Sequence, residues 1–414
     1  MAIPLLRSRT GCALHGALYT AAAIPGVVPV IHSTTGCGFQ ALQLVGGDAA
    51  ASSNLSEKQI VFGGTSRLRE QLKNTIQLVE GELHVVLSGC AAEMIGDDSQ
   101  AMVKEVRDQG ETVIDVGAAG FHGSAHHGYG LFLNAIIARH SVLAPRPEGG
   151  IPGLINILGL VPRQDAFWLA DLEELSRMIA GIGLHPNALF GPDGGVQGLR
   201  DLARAQLTLV VSPWGVGPAR ELERQFGIPW LETDGLPVGA DASAALLLRL
   251  DEVIGADLPA LETFLAAETR REAYGLDLAA EAFFRQGPQP DFAVVAGSLH
   301  APGLTRFLTG TLGWRAHAMI VTDNPPPESR TPLTAEFPEI RFSEDAGEIE
   351  DILRDSDAEI ILGSDFERLA AAELGLPFVE VSFPTRRLGL AGGHGGFRGG
   401  LTLVEEIGRA RSWP

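Results

Sequence analysis

Short apolar runs and segments of helical periodicity alternate along the chain. "LHVVLSG" (83–89) precedes "AEMIGDDSQAMVKEVRDQ", "GLINILGLV" (153–161) precedes "DLEELSRMIAGIG", and "LTLVVSP" (207–213) precedes "GPARELERQFG". "DFAVVAG" (291–297) precedes "APGLTRFLTGTLG", and "AHAMIVTD" (316–323) and "AEIILGS" (358–364) continue the series. Brief apolar runs between amphipathic helices are the signature of parallel strands covered on both faces by crossover helices. The expected fold class is therefore α/β, with three Rossmann-like parallel-sheet domains. Ligands of such sheets gather at the carboxyl ends of the strands.

Two Pro/Gly-rich stretches punctuate the pattern: "APRPEGGIPG" (144–153) and "FRQGPQPDF" (284–292), the second after a long helical stretch near 258–284. They predict domains over 1–147, 148–287 and 288–385. The remaining segment, 386–414, opens with glycine turns and ends in a helix expected to pack back on the body.

The length of 414 residues exceeds what one hydrophobic core serves, in keeping with several domains. A formal charge of −20 argues against nucleic acid or an anionic membrane as partner. The run "LYTAAAIPGVVPVI" holds two prolines and falls short of the roughly 18–20 apolar residues of a membrane span. "MAIPLLRSRTGC" lacks the layout of a signal peptide, so a cytoplasmic location is expected.

Three cysteines make no disulfide framework in such a chain. Cys12, Cys37 and Cys90 each have a glycine neighbour, in "TGCAL", "TGCGF" and "SGCAA". Cys37 reads as part of a Gly-Cys-Gly turn. Cys90 reads as the start of a helix after a strand, where the thiolate is favoured. Glycine beside each thiol lets backbone approach a bulky inorganic cluster and aim N–H groups at its sulfides. The alternative is three buried structural cysteines. There is no CxxC, and spacings of 25 and 53 residues do not suit a zinc finger or ribbon. Three ligands leave a four-iron cluster one short, so a fourth ligand or a second subunit has to complete it.

Several segments together resemble the β-type subunit of nitrogenase component 1 and its relatives. They are "GCALHGALYTAAAIPGVVPVIHSTTGC", "VFGGTSRLREQLKNTIQLVEGELHVVLSGCAAEMIGDD", "FHGSAHHGYG", "APGLTRFL" and "VSFPTRRLGLAGGHGGFRGG". The resemblance spans nearly the whole chain. It implies the three-domain fold of nitrogenase component 1 and pairing with an α-type homologue in an α2β2 heterotetramer. It also implies a P-cluster-type [8Fe–7S] cluster shared between the two chains, with [4Fe–4S] as the alternative. Cys12, Cys37 and Cys90 would be its three ligands on this side, Cys37 matching the thiolate that bridges the cluster halves. Ser124 matches a serine that ligates iron when the cluster is oxidised; the alternative is a hydroxyl capping a turn. The active-site metallocluster would lie in the α-type partner, since no cysteine follows Cys90. A separate homodimeric, ATP-dependent [4Fe–4S] reductase would dock transiently and supply electrons.

His122, His126 and His127 cluster in the glycine-rich loop after 120 as metal ligands, donors to cluster sulfides, or plain loop residues. Glu93, Asp97 and Asp98 lie close after Cys90 and read as helix caps and dipole partners. "GPDGGVQG" (191–198) lacks the Lys-Ser/Thr of a Walker motif and reads as a turn.

Among the relatives, true nitrogenase β chains usually carry His-Gly-Gly/Ser-Gln-Gly-Cys where this chain has "HSTTGC", and are usually longer. Assembly-scaffold chains usually retain fewer cysteines. The resemblance is best to methylthio-alkane reductases, which cleave C–S bonds of small methylated thioethers. A divergent nitrogenase β subunit and a non-catalytic assembly scaffold are the alternatives, and a plain α/β binding protein would hold no iron.

Overall fold

The structure is a computed structural model and describes residues 9–45, 50–285, 287–387, 389 and 391–412. The first eight residues, part of the stretch read for a leader, lie outside it. Among the described residues no helix is long and apolar enough to cross a membrane.

Thirteen strands among the described residues form three wholly parallel sheets. The first holds β1 (Val27–His32), β2 (Ala51–Ser52), β3 (Leu83–Ser88) and β4 (Val113–Gly117), in the order β2-β1-β3-β4. The second holds β5 (Leu154–Leu158), β6 (His185–Asn187), β7 (Leu207–Val210) and β8 (Trp230–Glu232), in the order β6-β5-β7-β8. The third holds β9 (Phe292–Ala296), β10 (Ala316–Val321), β11 (Ile340–Phe342), β12 (Ile360–Gly363) and β13 (Phe378–Glu380), in the order β11-β10-β9-β12-β13. The expected α/β class with three parallel sheets is therefore what forms.

Alternating side chains explain why. On β9, Phe292, Val294 and Ala296 enter one apolar cluster while Ala293 and Val295 enter another on the opposite face. On β3, Leu83, Val85 and Leu87 join a core shared with the second sheet, while Val86 packs with Leu68, Leu72 and Val103. Both faces are dry, so the strands read as continuous apolar runs.

In each sheet the strand order reverses beside the first strand: between β1 and β3, β5 and β7, and β9 and β12. Such reversals open a crevice at the strands' carboxyl ends. The C-terminal helix Gly396–Ser412 packs on helices Gly239–Ile254 and Leu258–Arg285. Gly396 N–H donates to Pro237 O at 2.7 Å, and the Asp171 carboxylate accepts from His394 N and Gly395 N, each at 2.8 Å. At the other end, Arg9 pairs with Glu367 and donates to Ser364 Oγ at 3.1 Å, fastening the N-terminal segment to the third sheet.

Candidate cluster site

β1 and β3 lie side by side, with His32 in register with Ser88. Past His32 the chain enters helix Thr35–Val45, with Cys37 in its first turn; past Ser88 it enters helix Cys90–Met94 through Gly89. Two of the thiols thus emerge at the crevice of the first sheet. Gly89 is required there, because a Cβ would come 2.5 Å from Ser33 Oγ.

The expected Gly-Cys-Gly turn is not formed. Gly36 and Gly38 take ordinary helical backbone, and Gly38 N–H donates to Thr34 O at 3.0 Å. Gly38 is buried against Ser52, whose Oγ would lie 2.6 Å from an added Cβ. Glycine at 38 serves close packing, and the helix start sets the direction of Cys37.

Cys12 and Ser124 arrive on a second pair of elements. Cys12 is the N-cap of helix Ala13–Ala22 and Ser124 the N-cap of helix Ala125–Ala138. The helices touch backbone to backbone: a Cβ on Gly16 would sit 1.8 Å from Ala125 O, and one on Gly128 would sit 2.1 Å from Ala13 O. Ala13 N–H donates to Gly123 O at 2.9 Å and Ala125 N–H to Gly11 O at 2.8 Å, an antiparallel bridge pairing Cys12 with Ser124.

Gly120 joins the two halves. Its N–H donates to Cys90 Sγ at 3.0 Å. A Cβ on Gly120 would lie 3.2 Å from Cys90 Sγ and 3.4 Å from Cys12 Sγ, so both thiols border this glycine. All three thiols are free and half-buried. Cys12 Sγ lies 3.7 Å from His15 Nδ1, and burial holds the His15 pKa below the ordinary histidine value. Among the described residues no three His, Cys, Asp or Glu side chains form a group fit to hold a single metal ion.

The three histidines diverge. His126 and His127 are not in a loop, because Ser124 already starts the helix that carries them. His126 is buried against the Trp214 ring, and His127 Nδ1 meets Ser124 Oγ at 3.1 Å. His122 faces outward and pairs with Glu93 at 2.8 Å. Of the three acids, Asp98 caps helix Ser99–Arg107 as expected, its carboxylate accepting from Ala101 N. Asp97 instead binds His32 Nε2 at 3.0 Å and accepts from Gly64 N at 2.8 Å. Glu93 reaches off its own helix to Ala119 N at 3.2 Å. "GPDGGVQG" makes a turn and the start of helix Val196–Asp201.

Large apolar side chains stand exposed around the thiols. Phe39 follows Cys37 on its helix, Met94 (77% exposed) ends the helix of Cys90, and Phe121 follows Gly120. Val61 and Phe62 (82% exposed) close helix Glu57–Phe62, next to the Gly64 that donates to Asp97. Exposed apolar residues of this size are the kind of surface found at interaction sites.

Sequence reasoning missed a second concentration of polar groups, where the second and third sheets' strand ends meet the first unit. Trp214 Nε1 donates to Asp323 Oδ2 at 2.7 Å, Ser298 Oγ donates to the same oxygen at 2.6 Å, and His300 Nε2 meets Asp171 Oδ2 at 2.8 Å. Burial pushes the Asp165 pKa up to about 7 against the counteracting charge of His300 and the Val161 N–H bond. Burial also opposes charge on His300, but the Asp171 hydrogen bond and the charges of Asp171, Asp165 and Asp323 outweigh it and raise its pKa. The cavity lined by Arg9, His126, Gln164, Asp165, His300 and Asp323 measures about 10 Å³, room for about one water.

A family model described as nitrogenase component 1 type oxidoreductase matches residues 12–411. The chain is 23% identical to the nitrogenase molybdenum-iron protein beta chain of Clostridium pasteurianum, over 96% of this chain and 91% of that one. It is 25% identical to a chain of the light-independent protochlorophyllide reductase of Heliobacterium modesticaldum, over 91% and 73% of the two chains. It is also 25% identical to the nitrogenase iron-molybdenum cofactor biosynthesis protein NifE of Bradyrhizobium diazoefficiens, over 98% and 74%. Among solved structures, nitrogenase Cp1 at pH 6.5 has the same fold: TM-score 0.83 at 21% identity, covering 100% of this chain and 94% of that chain. With its family model matched over nearly its full length, the chain belongs to the nitrogenase component 1 type oxidoreductases.

Proposed function

We propose that this chain is the β-type electron-relay subunit of a cytoplasmic nitrogenase-like reductase. Cys12, Cys37 and Cys90 would hold one side of a P-cluster-type [8Fe–7S] cluster, with [4Fe–4S] as the simpler alternative. An α-type partner would supply the other ligands and carry the active-site metallocluster in an α2β2 assembly. A homodimeric ATP-dependent [4Fe–4S] reductase would supply the electrons. The domains would run over 1–147, 148–287 and 288–385, with 386–414 closing the body.

One observation carries this reading. Cys12 and Cys90 border the same glycine, Cys37 and Cys90 leave adjacent strand ends, and exposed apolar residues surround all three. The donor set suits iron: soft thiolates, with a backbone N–H aimed at one sulfur. Bound there, the cluster would store and pass low-potential electrons. The protein's own part is to hold three thiolates on two pairs of elements and to keep water from them under a partner. Ser124, bridged through the backbone to Cys12 and hydrogen-bonded to His127, would be the further iron ligand of the oxidised cluster.

For the substrate we propose small methylthio-alkanes, on the departure of "HSTTGC" from true nitrogenase β chains. The test is anaerobic turnover of the co-expressed complex with its reductase, ATP and dithionite. Ethylene and methanethiol from 2-methylthioethanol, without ammonia from N2, are expected. Ammonia would make it a divergent nitrogenase, and an iron-replete complex giving neither product favours an assembly scaffold. A Cys37→Ala variant with full iron content and normal partner binding would overturn the cluster itself.

A further inference from the structure

Glu93 is a carboxylate that its own helix does not use. It stands three residues after Cys90 in the five-residue helix Cys90–Met94, about one turn on, where an acid ordinarily serves the helix N-terminus. Both of its oxygens turn instead to the neighbouring segment. Oε1 accepts from Ala119 N at 3.2 Å, and Oε2 meets His122 Nε2 at 2.8 Å. Between these two anchors lies Gly120, whose N–H donates to Cys90 Sγ at 3.0 Å. Gly117 leaves room for the carboxylate, since a Cβ there would come 3.1 Å from Oε1.

We propose that Glu93 is a positioning residue: it clamps the turn 117–122 onto the helix of Cys90 and keeps the Gly120 N–H aimed at the Cys90 sulfur. The inference rests on Cys90 being a cluster ligand. The turn's own backbone bonds, His122 N to Ala119 O at 2.9 Å and Gly123 N to Gly120 O at 3.3 Å, shape it, and Ala118 N to Ser88 O at 3.0 Å and Ala13 N to Gly123 O at 2.9 Å hold its two ends. Between those ends, the charge-assisted contacts from Glu93 hold residues 119 and 122 against the helix of Cys90. An N–H directed at a thiolate sulfur draws off negative charge and favours the more reduced cluster. Releasing the clamp therefore makes the cluster harder to reduce, while all three thiolates stay in place.

The test uses the iron-loaded complex of the full chain with its partner, as wild type, Glu93→Ala and Glu93→Gln. Three quantities are read: iron content, the cluster's midpoint potential by EPR-monitored titration, and hydrogen exchange in the peptide spanning 117–123. In Glu93→Ala the exchange of that peptide should rise about tenfold. Both variants lose the same carboxylate charge, which by itself eases reduction, so the clamp is read as their difference: the Glu93→Ala midpoint should lie negative of the Glu93→Gln midpoint. Glu93→Gln keeps an oxygen for Ala119 N–H and should exchange at a rate between Glu93→Ala and wild type. If Glu93→Ala loses iron, Glu93→Asp, which keeps the charge on a shorter arm, carries the test, with a midpoint negative of wild type. Faster exchange in Glu93→Ala at the same midpoint as Glu93→Gln would show Glu93 to be merely structural and overturn the proposal. So would unchanged exchange. A wild-type complex without an iron–sulfur cluster would overturn the underlying reading as well, so the two failures are told apart.

Discussion

The crevice of the first sheet and those of the other two come from the same topology and are finished in opposite ways. At the ends of β1 and β3 the chain leaves Cys37 and Cys90 half-buried, with Cys12 brought to Cys90 across Gly120 and with Met94, at the end of the helix of Cys90, standing in solvent. Past β5, β7, β9 and β10 it brings Asp165, Trp214, His300 and Asp323 together and buries them. The first region leaves its thiols free and its apolar side chains exposed. The second pairs much of its charge internally, through the His300–Asp171 pair and the two donors on Asp323 Oδ2, while Asp323 Oδ1, His126 Nδ1 and Gln164 Oε1 beside the small cavity have no hydrogen-bond partner among the described residues. A reversal of strand order thus offers a place for chemistry, and the residues after each strand decide whether it faces outward or locks the units together.

The largest expected effect tests that division. Asp171→Ala would strip a buried histidine of its partner and leave two backbone donors unmet. It should cost about 3–5 kcal/mol, measured by denaturant unfolding. Cys90→Ala should abolish iron binding with little loss of folding stability. If the two results were exchanged, the comparison would collapse.

Gly128→Ala should cost about 1–3 kcal/mol by overpacking, since its Cβ would meet the Ala13 carbonyl directly. It should also lower iron content by shifting Cys12 from Ser124, whereas Gly110→Ala, near nothing but at φ +100, should cost stability without touching iron.

A smaller effect concerns pH. Asp165 is raised from 3.8 to about 7 when folded. Its contribution is therefore complete below about pH 4, falls as pH rises, and is gone above about pH 7. The fall cannot exceed about 1.4 kcal/mol per pH unit for one proton. Burial also pushes Glu272 up to about 7, so Asp165→Asn should make stability fall less steeply with pH without removing the fall. An unchanged slope would mean that the acid is not held protonated at the junction.

Phe62→Ser should leave the chain's own stability within about 0.5 kcal/mol yet weaken partner association about tenfold, read by light scattering or interferometry. Unchanged association would remove Phe62 from the partner-facing surface.

Much of this architecture was legible beforehand. The runs at 83–89, 153–161, 207–213, 291–297, 316–323 and 358–364 contain β3, β5, β7, β9, β10 and β12, because central strands buried on both faces cannot hide their apolar character. β2, β6, β8, β11 and β13 have two or three residues each, too few for a periodicity. The predicted helix after Cys90 splits at Gly96, whose φ of +72° ends the first piece. The placement of Cys90 followed from its strand. That of Cys37 did not, since glycines on both sides of a residue suggest a turn until Ser52, brought close by the fold, gives Gly38 another reason. Gly16 and Gly128 were a readable hint of helices in contact. The junction acids were not legible, because each is a single polar residue at a strand end and only their convergence gives them meaning.

The pairing of Arg9 with Glu367, residues 358 positions apart, orders events in time. Arg9 lies three residues before Cys12, so the first cysteine to leave the ribosome belongs to a segment whose anchor is made near the end of synthesis. Units that fold one after another from the N-terminus would complete the sheet of Cys37 and Cys90 while Cys12 still lacked its distant fastening. Cys12 meets Gly120 and Ser124 through contacts made within the first 138 residues, so the Arg9–Glu367 pair comes as a late lock that ties the N-terminal segment to the third sheet once nearly the whole chain exists.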